Sequence, residues 1–464
     1  MSETVHILGG GLAGLTAAYY ARRHGHEPIV YEAAPEAGGN ARTLRFEDVL
    51  VDTGAHRLHD KDPGATAAFR DLLGDAMQRV EAPSEIRYRG RGIAFPLRPL
   101  DAARNLGLGT LLRVSAEILP RLLRSQQEPE TFRDLALSRY GPTLARAFLL
   151  GYSEKLWGVP TERLDASVAG GRLQGLTLGT FLRELSSART ATAHLDGAFY
   201  YPTHGFGMLA EALTEAIGEE RVRTSTPVTQ VEHEGEHIVA VQAGGERQAA
   251  QTQTVVSTLP LPLLVHLLDP APPDAVHDAA AALRYRNVRL LVVQLGTPQV
   301  SPHASLYVPD PEVPFTRLYE PKNRSAAMAP RTRTALVAEV PCDEHDDLWA
   351  LPDDLFAARL LPDVRRVAAP LGAVLSTHSV RLPNAYPVLE VGHREAVATL
   401  RDYADGFENL TLAGRAGTFR YLHTHDLFVE AAAWADALGS APSEFPLAPW
   451  SLEHPPEVVT PRAT

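Results

Sequence analysis

The chain has 464 residues, 45% of them hydrophobic and 22% charged, with a net charge of −12. These values exclude a disordered or fibrous class and argue against general affinity for nucleic acid or anionic lipid. The length predicts two or three domains, and the single cysteine, Cys342, excludes a disulfide framework or a cysteine-rich metal site and fits a reducing compartment.

The first predicted elements are a strand Val5 to Leu8, a helix Leu12 to His24 and a strand Pro28 to Glu32, together a βαβ unit. The strand follows Met1 without the basic and apolar regions of a signal peptide, so the expected location is the cytoplasm. Gly9, Gly11 and Gly14 form GxGxxG between strand and helix, with Leu12 and Ala13 at the variable positions. Absent side chains there let backbone N–H groups and the helix N-terminus reach a pyrophosphate. Glu32 ends the second strand, where its carboxylate can accept hydrogen bonds from ribose hydroxyls.

Further along, Arg87, Arg89 and Arg91 alternate with Tyr88 and Gly90, which predicts a hairpin with a solvated face rather than a phosphate or nucleic-acid contact. The most apolar long stretch, Leu106 to Leu123, carries Arg113, Glu117 and Arg121 at helical spacing and is too charged to span a bilayer. A core-facing helix is the plainer reading and a membrane-surface helix the sharper one. Residues 100 to 190 carry Leu, Ala and Arg at helical spacing, predicting a helical insertion.

Strands return at Val228 to Val231, His237 to Val241 and Thr254 to Ser257, read as a β-meander beside the first unit. Val288 to Leu295 and Leu336 to Val340, around the Pro-rich loop 308–314, predict a separate mixed domain. Leu410 to Ala413 reads as a last strand, followed by a glycine turn and a helix from about Asp426 to Leu438, stopped by Gly439. The Pro-rich tail is expected to pack loosely or stay disordered. The resulting division assigns 1–90, 196–265 and 396–440 to a nucleotide-binding domain, 91–195 to a helical subdomain, 266–395 to a sheet-containing domain and 441–464 to the tail.

Gly38, Gly39 and Arg42, following Glu32, resemble the GG motif of the FAD-dependent amine oxidase superfamily. The run from Ala413 to Leu422 resembles the C-terminal flavin segment of the same superfamily. The resemblance implies FAD as cofactor and an α/β fold. That fold is a Rossmann-like FAD-binding domain of the GR2 type, with a discontinuous mixed α+β substrate domain and the helical insertion. It also extends the expected cofactor contacts to Ala33, Gly39, Asn40 and Arg42, to Gly54, Ala55 and His56, to Val228, and to Gly414, Arg415 and Asp426.

Within the superfamily, three stretches resemble the UDP-galactopyranose mutase family and the related protoporphyrinogen-oxidase-like proteins. They are Gly54-Ala55-His56 before Leu58-His59, the run Gly151 to Gly158, and Pro314-Phe315-Thr316-Arg317 with Glu320 and Lys322. The resemblance implies that His56 lies beside the flavin, that Tyr152 stacks on a base, and that Trp157 borders a sugar. It also implies that Arg172, Arg317, Tyr386 and Tyr421 hold a diphosphate, a role that fits guanidinium forks and phenol hydroxyls. Two departures stand out: His423-Thr424-His425-Asp426 replaces the mutase pattern after Leu422, which bears on the flavin contacts made there, and the Phe199-Tyr200-Tyr201-Pro202 segment looks more like the oxidase-like relatives, which bears on the substrate. Tyr200 is the further substrate-binding candidate.

No histidine or cysteine set completes a zinc site, so no metal is expected, and no GxSxG elbow is present. One functional reading is a mutase-like enzyme acting on a nucleotide sugar, with N5 of reduced FAD as nucleophile. It needs a small-molecule substrate and an electron donor for the flavin. The other is an oxidoreductase whose oxidised FAD accepts a hydride from substrate. A flavin-bound assembly protein without turnover would leave the arginine and aromatic motifs unexplained.

Overall fold

The computed structural model describes residues 2–95, 108–118, 129–172 and 198–438, without the side chains of 108, 111, 115, 118 and 170–172. The fold is mixed α/β. Its parallel sheet runs in the order Leu410–Leu412, Thr254–Ser257, Thr4–Leu8, Glu27–Tyr31, Val222–Arg223. Val5, Ile7 and Leu8 are fully buried, as expected for a strand covered on both faces. The helix Leu12–Arg23 buries Leu15, Ala18 and Tyr19 and packs against the helices Met208–Ile217 and Thr424–Ala437. The predicted first unit is therefore present, with its strands at Thr4–Leu8 and Glu27–Tyr31.

Thr254–Ser257 corrects the expected meander. It pairs in parallel with Thr4–Leu8 and belongs to the parallel sheet. Val255, Val256 and Ser257 are buried in succession, without alternation, the mark of a strand covered on both faces. The third meander strand is Glu246–Ala249, antiparallel to His237–Ala243, a polar and mostly exposed segment that carries no hydrophobic signal. The last strand is Leu410–Leu412, and the final helix begins at Thr424, before the expected Asp426. Gly439 and the tail 441–464 lie outside the described residues.

A seven-stranded sheet stands beside this layer, ordered Val374–Pro387, Tyr285–Leu295, Thr334–Cys342, Arg317–Tyr319, Ser305–Tyr307, Ser84–Tyr88, Arg91–Phe95. Neighbours are antiparallel except Ser305–Tyr307 with Ser84–Tyr88. One face packs Leu291, Val293 and Leu336 against Phe356 and Leu360 of the helix Asp353–Val367. The other packs Val288, Leu290 and Val292 against the hairpin Thr43–Phe46 and Val49–Asp52. The arginine-rich segment is the expected hairpin, turning at the exposed Arg89 and Gly90, and it extends this sheet.

The helical region starts with Leu108–Ile118, where Val114 is buried and Leu112 is 66% exposed. The helix Phe132–Leu144 is capped by Thr131, whose hydroxyl accepts from the Asp134 N–H, and breaks at Gly141 before Pro142. A π turn at Ala145–Leu149 then leads into Leu150–Trp157. Trp157, Val159 and Leu164 close a small core with Phe132 and Leu135. Among the described residues no helix is long and apolar enough to cross a membrane.

Candidate functional site

At the C-terminal edge of the parallel sheet, the Gly9–Gly14 turn is built by close backbone approach. A Cβ on Gly14 would fall inside the contact distance of the Gly9 carbonyl oxygen, so helix and turn pack this closely only with glycine. A Cβ on Gly11 would meet nothing nearer than the Gly39 Cα at 3.9 Å, which leaves open space above the turn. Gly38 N–H donates to the Gly10 carbonyl at 2.8 Å, docking the second glycine segment on the first. Both Glu32 oxygens are fixed from below, Oε2 by Gly10 N–H and Oε1 by Ala34 N–H, each at 2.8 Å. Their remaining lone pairs can take the hydroxyls of a ribose.

Gly414 closes the same turn from the far end of the chain. It has φ +74, and a Cβ there would clash with the Ala13 side chain. Leu12 is buried and Ala33 is exposed beside Glu32. The Arg42 side chain donates from Nε to the Gly39 carbonyl at 3.0 Å, and the Asn40 amide donates to the Pro383 carbonyl. Val228 opens the strand Val228–Glu234 and packs against the core that contains Tyr31. Asp426 has a structural partner: its Oδ2 accepts from the His423 N–H at 2.7 Å in the capping box of the last helix. These surfaces fit a dinucleotide, an open glycine cradle meeting a fixed carboxylate.

His56 lies at the other end of this surface. Its ring stacks on Phe206 with centroids 4.8 Å apart, and Nε2 donates to the Asn40 carbonyl at 2.9 Å. Burial, then the charge of Arg415 with those of Arg324 and Arg317, pulls its pKa down to about 3. The imidazole is therefore neutral, and with the proton on Nε2 its Nδ1 is a bare acceptor.

Arg317 stands on the short strand Arg317–Tyr319. Its Nε and Nη2 both donate to Glu339 Oε2, at 2.8 and 2.5 Å, while Glu339 Oε1 accepts the Ala55 N–H at 3.0 Å. Burial opposes the Arg317 charge, yet Glu339 and the facing Tyr307, Tyr386 and Tyr152 hold its pKa above the usual range. The expected bidentate fork is thus turned onto a carboxylate of its own sheet, leaving Nη1 as the nitrogen not engaged by Glu339. The physical reason is burial: a guanidinium this enclosed needs a counter-ion.

Tyr386 and Tyr421 stack at 5.9 Å, and Trp157 meets both edge-on at 5.9 and 6.1 Å. Arg415 lies 4.6 Å over the Tyr421 ring and donates to the Leu422 carbonyl through Nε and Nη2. Burial and Tyr421 push the Tyr386 hydroxyl up to about 12, so it is a proton donor at neutral pH. Tyr152 approaches Tyr307 at 6.4 Å. The structure thus brings together His56, Tyr152, Trp157, Arg317, Tyr386, Arg415 and Tyr421.

Two substrate candidates are not part of this cluster as described. Tyr200 accepts from Arg70 at 3.1 Å on the helix Pro63–Leu73, while its strand neighbour Tyr201 turns inward to Asp52. Arg172 ends the turn Ala166–Arg172, and its side chain lies outside the described residues. Sequence reasoning missed Tyr307, Glu339 and Arg324. Arg324 is 2% exposed, lies 4.6 Å over Tyr319, and has no partner for Nε or Nη1. Among the described residues no group of three or more His, Cys, Asp or Glu could hold a metal ion.

A glycine cradle beside a braced carboxylate, with arginines and aromatic rings gathered near His56, suits a nucleotide cofactor. The chain belongs to the flavin containing amine oxidoreductase family, whose pattern it matches over residues 12–426, and its cofactor is FAD. The fold is similar to that of a reduced UDP-galactopyranose mutase, with a TM-score of 0.82 and 19% identity over 97% of this chain and 96% of that one. It is also similar to a putative protoporphyrinogen oxidase from Exiguobacterium sp. 255-15, with a TM-score of 0.75 and 20% identity over 94% and 99%. In sequence, the mitochondrial protoporphyrinogen oxidase of Nicotiana tabacum is 26% identical over 27% of this chain. That alignment spans only 26% of the tobacco protein.

Proposed function

We propose that the chain acts on a nucleotide sugar, in the manner of the UDP-galactopyranose mutases. The observation that carries this reading is Arg317 facing Tyr152, Tyr307 and Tyr386, beside the Trp157–Tyr386–Tyr421 stack and Arg415. Cations and phenol donors on one wall suit the oxygens of a diphosphate, and flat rings suit a base and a sugar. Arg317 offers Nη1, Tyr386 and Tyr421 offer hydroxyls, and Tyr152 and Trp157 offer faces. Arg172 is the proposed second arginine. His56 accepts a hydrogen bond through Nδ1 and orients what lies against the turn Gly54–His56. FAD supplies the reactive centre, as nucleophile when reduced or as hydride acceptor when oxidised.

The second reading is an oxidoreductase that passes a hydride from substrate to FAD. It is favoured by the Glu339 partner of Arg317, which neutralises one of the two charges a diphosphate would use. Calorimetry with UDP, GDP and dTDP, set against amines and polycyclic compounds, separates the two. Nucleoside diphosphate binding that is lost in Arg317→Ala supports the first reading. No nucleotide binding, with bleaching of the oxidised protein by an amine or polycycle, replaces it with the second.

A further inference from the structure

Lys155 lies on the helix Leu150–Trp157, between Tyr152 and Trp157. Its Nζ is 2.7 Å from the Val308 carbonyl oxygen, 2.9 Å from Asp310 and from Val313, and 3.0 Å from Phe315. All four oxygens belong to the loop that runs into Thr316 and Arg317. That loop contains Pro309, Pro311 and Pro314, which lack N–H groups, so it has few donors for a ladder of its own. The Asp310 carbonyl also accepts the Val313 N–H at 3.2 Å, but the Val308, Val313 and Phe315 carbonyls rely on the ammonium, whose compact charge and three protons suit such a seat as a bound cation would. Burial pulls Lys155 down to about 7, against the opposing charges of Asp310 and Asp363. A buried ammonium is retained at such a cost only where its partners are numerous and well placed.

We propose that Lys155 is a positioning residue of the active site. It fastens the helix bearing Tyr152 and Trp157 to the loop that delivers Arg317, so the aromatic and cationic walls of the cavity keep one spacing. The inference rests on the reading that Tyr152 and Arg317 face one ligand. A second lysine supplies the comparison. Lys322 caps the carbonyls of Pro330, Arg331 and Arg333 at 2.6, 3.1 and 2.8 Å, the same chemistry on a different turn.

The test compares Lys155→Met, Lys155→Arg and Lys322→Met in the FAD-loaded protein. Amide exchange across 308–317 and UDP affinity by calorimetry are the readouts. Lys155→Met should speed exchange in that loop and weaken UDP by about ten-fold or more, since small misplacements of binding groups carry losses of this order. Lys155→Arg keeps the charge but spreads it over a fork too wide for the seat, and should fall between the wild type and Lys155→Met. Lys322→Met should speed exchange only around 330–333 and leave UDP affinity within about two-fold. The inference is overturned if 308–317 stays protected in Lys155→Met, or if UDP weakens no more than in Lys322→Met. If Lys155→Met does not fold, Lys155→Arg with wild-type loop exchange and UDP affinity overturns it equally. If the wild type binds no UDP, the nucleotide-sugar reading fails and exchange across 308–317 alone decides the role of Lys155.

Discussion

Replacing Glu339 with glutamine changes one atom and should be strongly destabilising. Oε2 accepts twice from Arg317, at 2.8 and 2.5 Å, and Oε1 accepts once from the Ala55 N–H at 3.0 Å. A glutamine has one acceptor oxygen and one NH2. Whichever way it turns, the NH2 faces a donor, either the guanidinium or the Ala55 amide. At least one charge-assisted bond is lost, about 1.5 to 3 kcal/mol. The Arg317 charge, only 17% exposed at its side chain, also loses its counter-ion, which brings the total to about 3 to 5 kcal/mol. Arg317→Met leaves the opposite charge unpaired, whereas the double variant leaves neither. Denaturant unfolding of the FAD-loaded proteins, followed by far-UV circular dichroism, should therefore show the double variant more stable than the summed singles, by about 1 to 3 kcal/mol. A Glu339→Gln protein as stable as the wild type, or strictly additive losses, would refute the reasoning.

Three further outcomes follow from the same geometry. Glu32→Ala should lower FAD affinity by about ten- to one hundred-fold, measured by reconstitution of the apoprotein, because it removes a carboxylate braced by Gly10 and Ala34; unchanged affinity would place the ribose elsewhere. Gly14→Ala should yield protein with almost no bound flavin, read from the visible spectrum, since its Cβ meets the Gly9 carbonyl oxygen. The pKa of His56 is lowered in the fold to about 3. Its contribution to stability is therefore present above the unfolded value near 6.5 and is lost as pH falls below it, by up to about 2 kcal/mol between pH 7 and 5 before allowance for water in the cavity. Denaturation midpoints of His56→Asn should be less sensitive to acid over that interval, and parallel pH profiles for the two proteins would contradict this.

Sequence carried the cofactor turn because its backbone geometry tolerates only glycine at some positions, as Gly14 and Gly414 show. The same reading misplaced Thr254–Ser257, since an apolar run shows that a strand is buried but not which strand lies beside it. Glu339 left a usable trace, a lone charged residue in the buried and largely apolar strand Thr334–Cys342. Such a trace does not separate site from scaffold. Arg289 in the buried strand Tyr285–Leu295 is as conspicuous, yet it binds the Leu348 and Leu351 carbonyls and Asp353 at the start of a helix. Tyr200 was chosen from a motif without knowledge of register, and strand alternation gives the buried partner Asp52 to Tyr201 instead. Lys155 lay inside a recognised motif, but its role depends on four carbonyls more than 150 positions away, which no local pattern encodes.

The charge that the cavity presents does not come mainly from the arginine that its motif singled out. Arg317 and Glu339 form a closely joined pair, so at the distance of a ligand their fields largely cancel. Arg415 is different. Its described hydrogen-bond partners are the carbonyls of Leu422 and Ala385, dipoles rather than a counter-ion, and its guanidinium lies over the Tyr421 and Tyr386 rings. Arg324 likewise donates to a carbonyl, that of Ala304. The order of influences on His56 agrees with this: after burial comes Arg415, then the opposing hydrogen bond to the Asn40 carbonyl, and only then Arg324 and Arg317. Among the arginines near His56, Arg415 is the one whose charge bears on it most, and it sits on the C-terminal segment that Gly414 seats against Ala13. Arg317 gains full cationic character toward a ligand only as its hold on Glu339 loosens. Because Glu339 also holds the Ala55 N–H, any such change would be felt in the turn that carries His56.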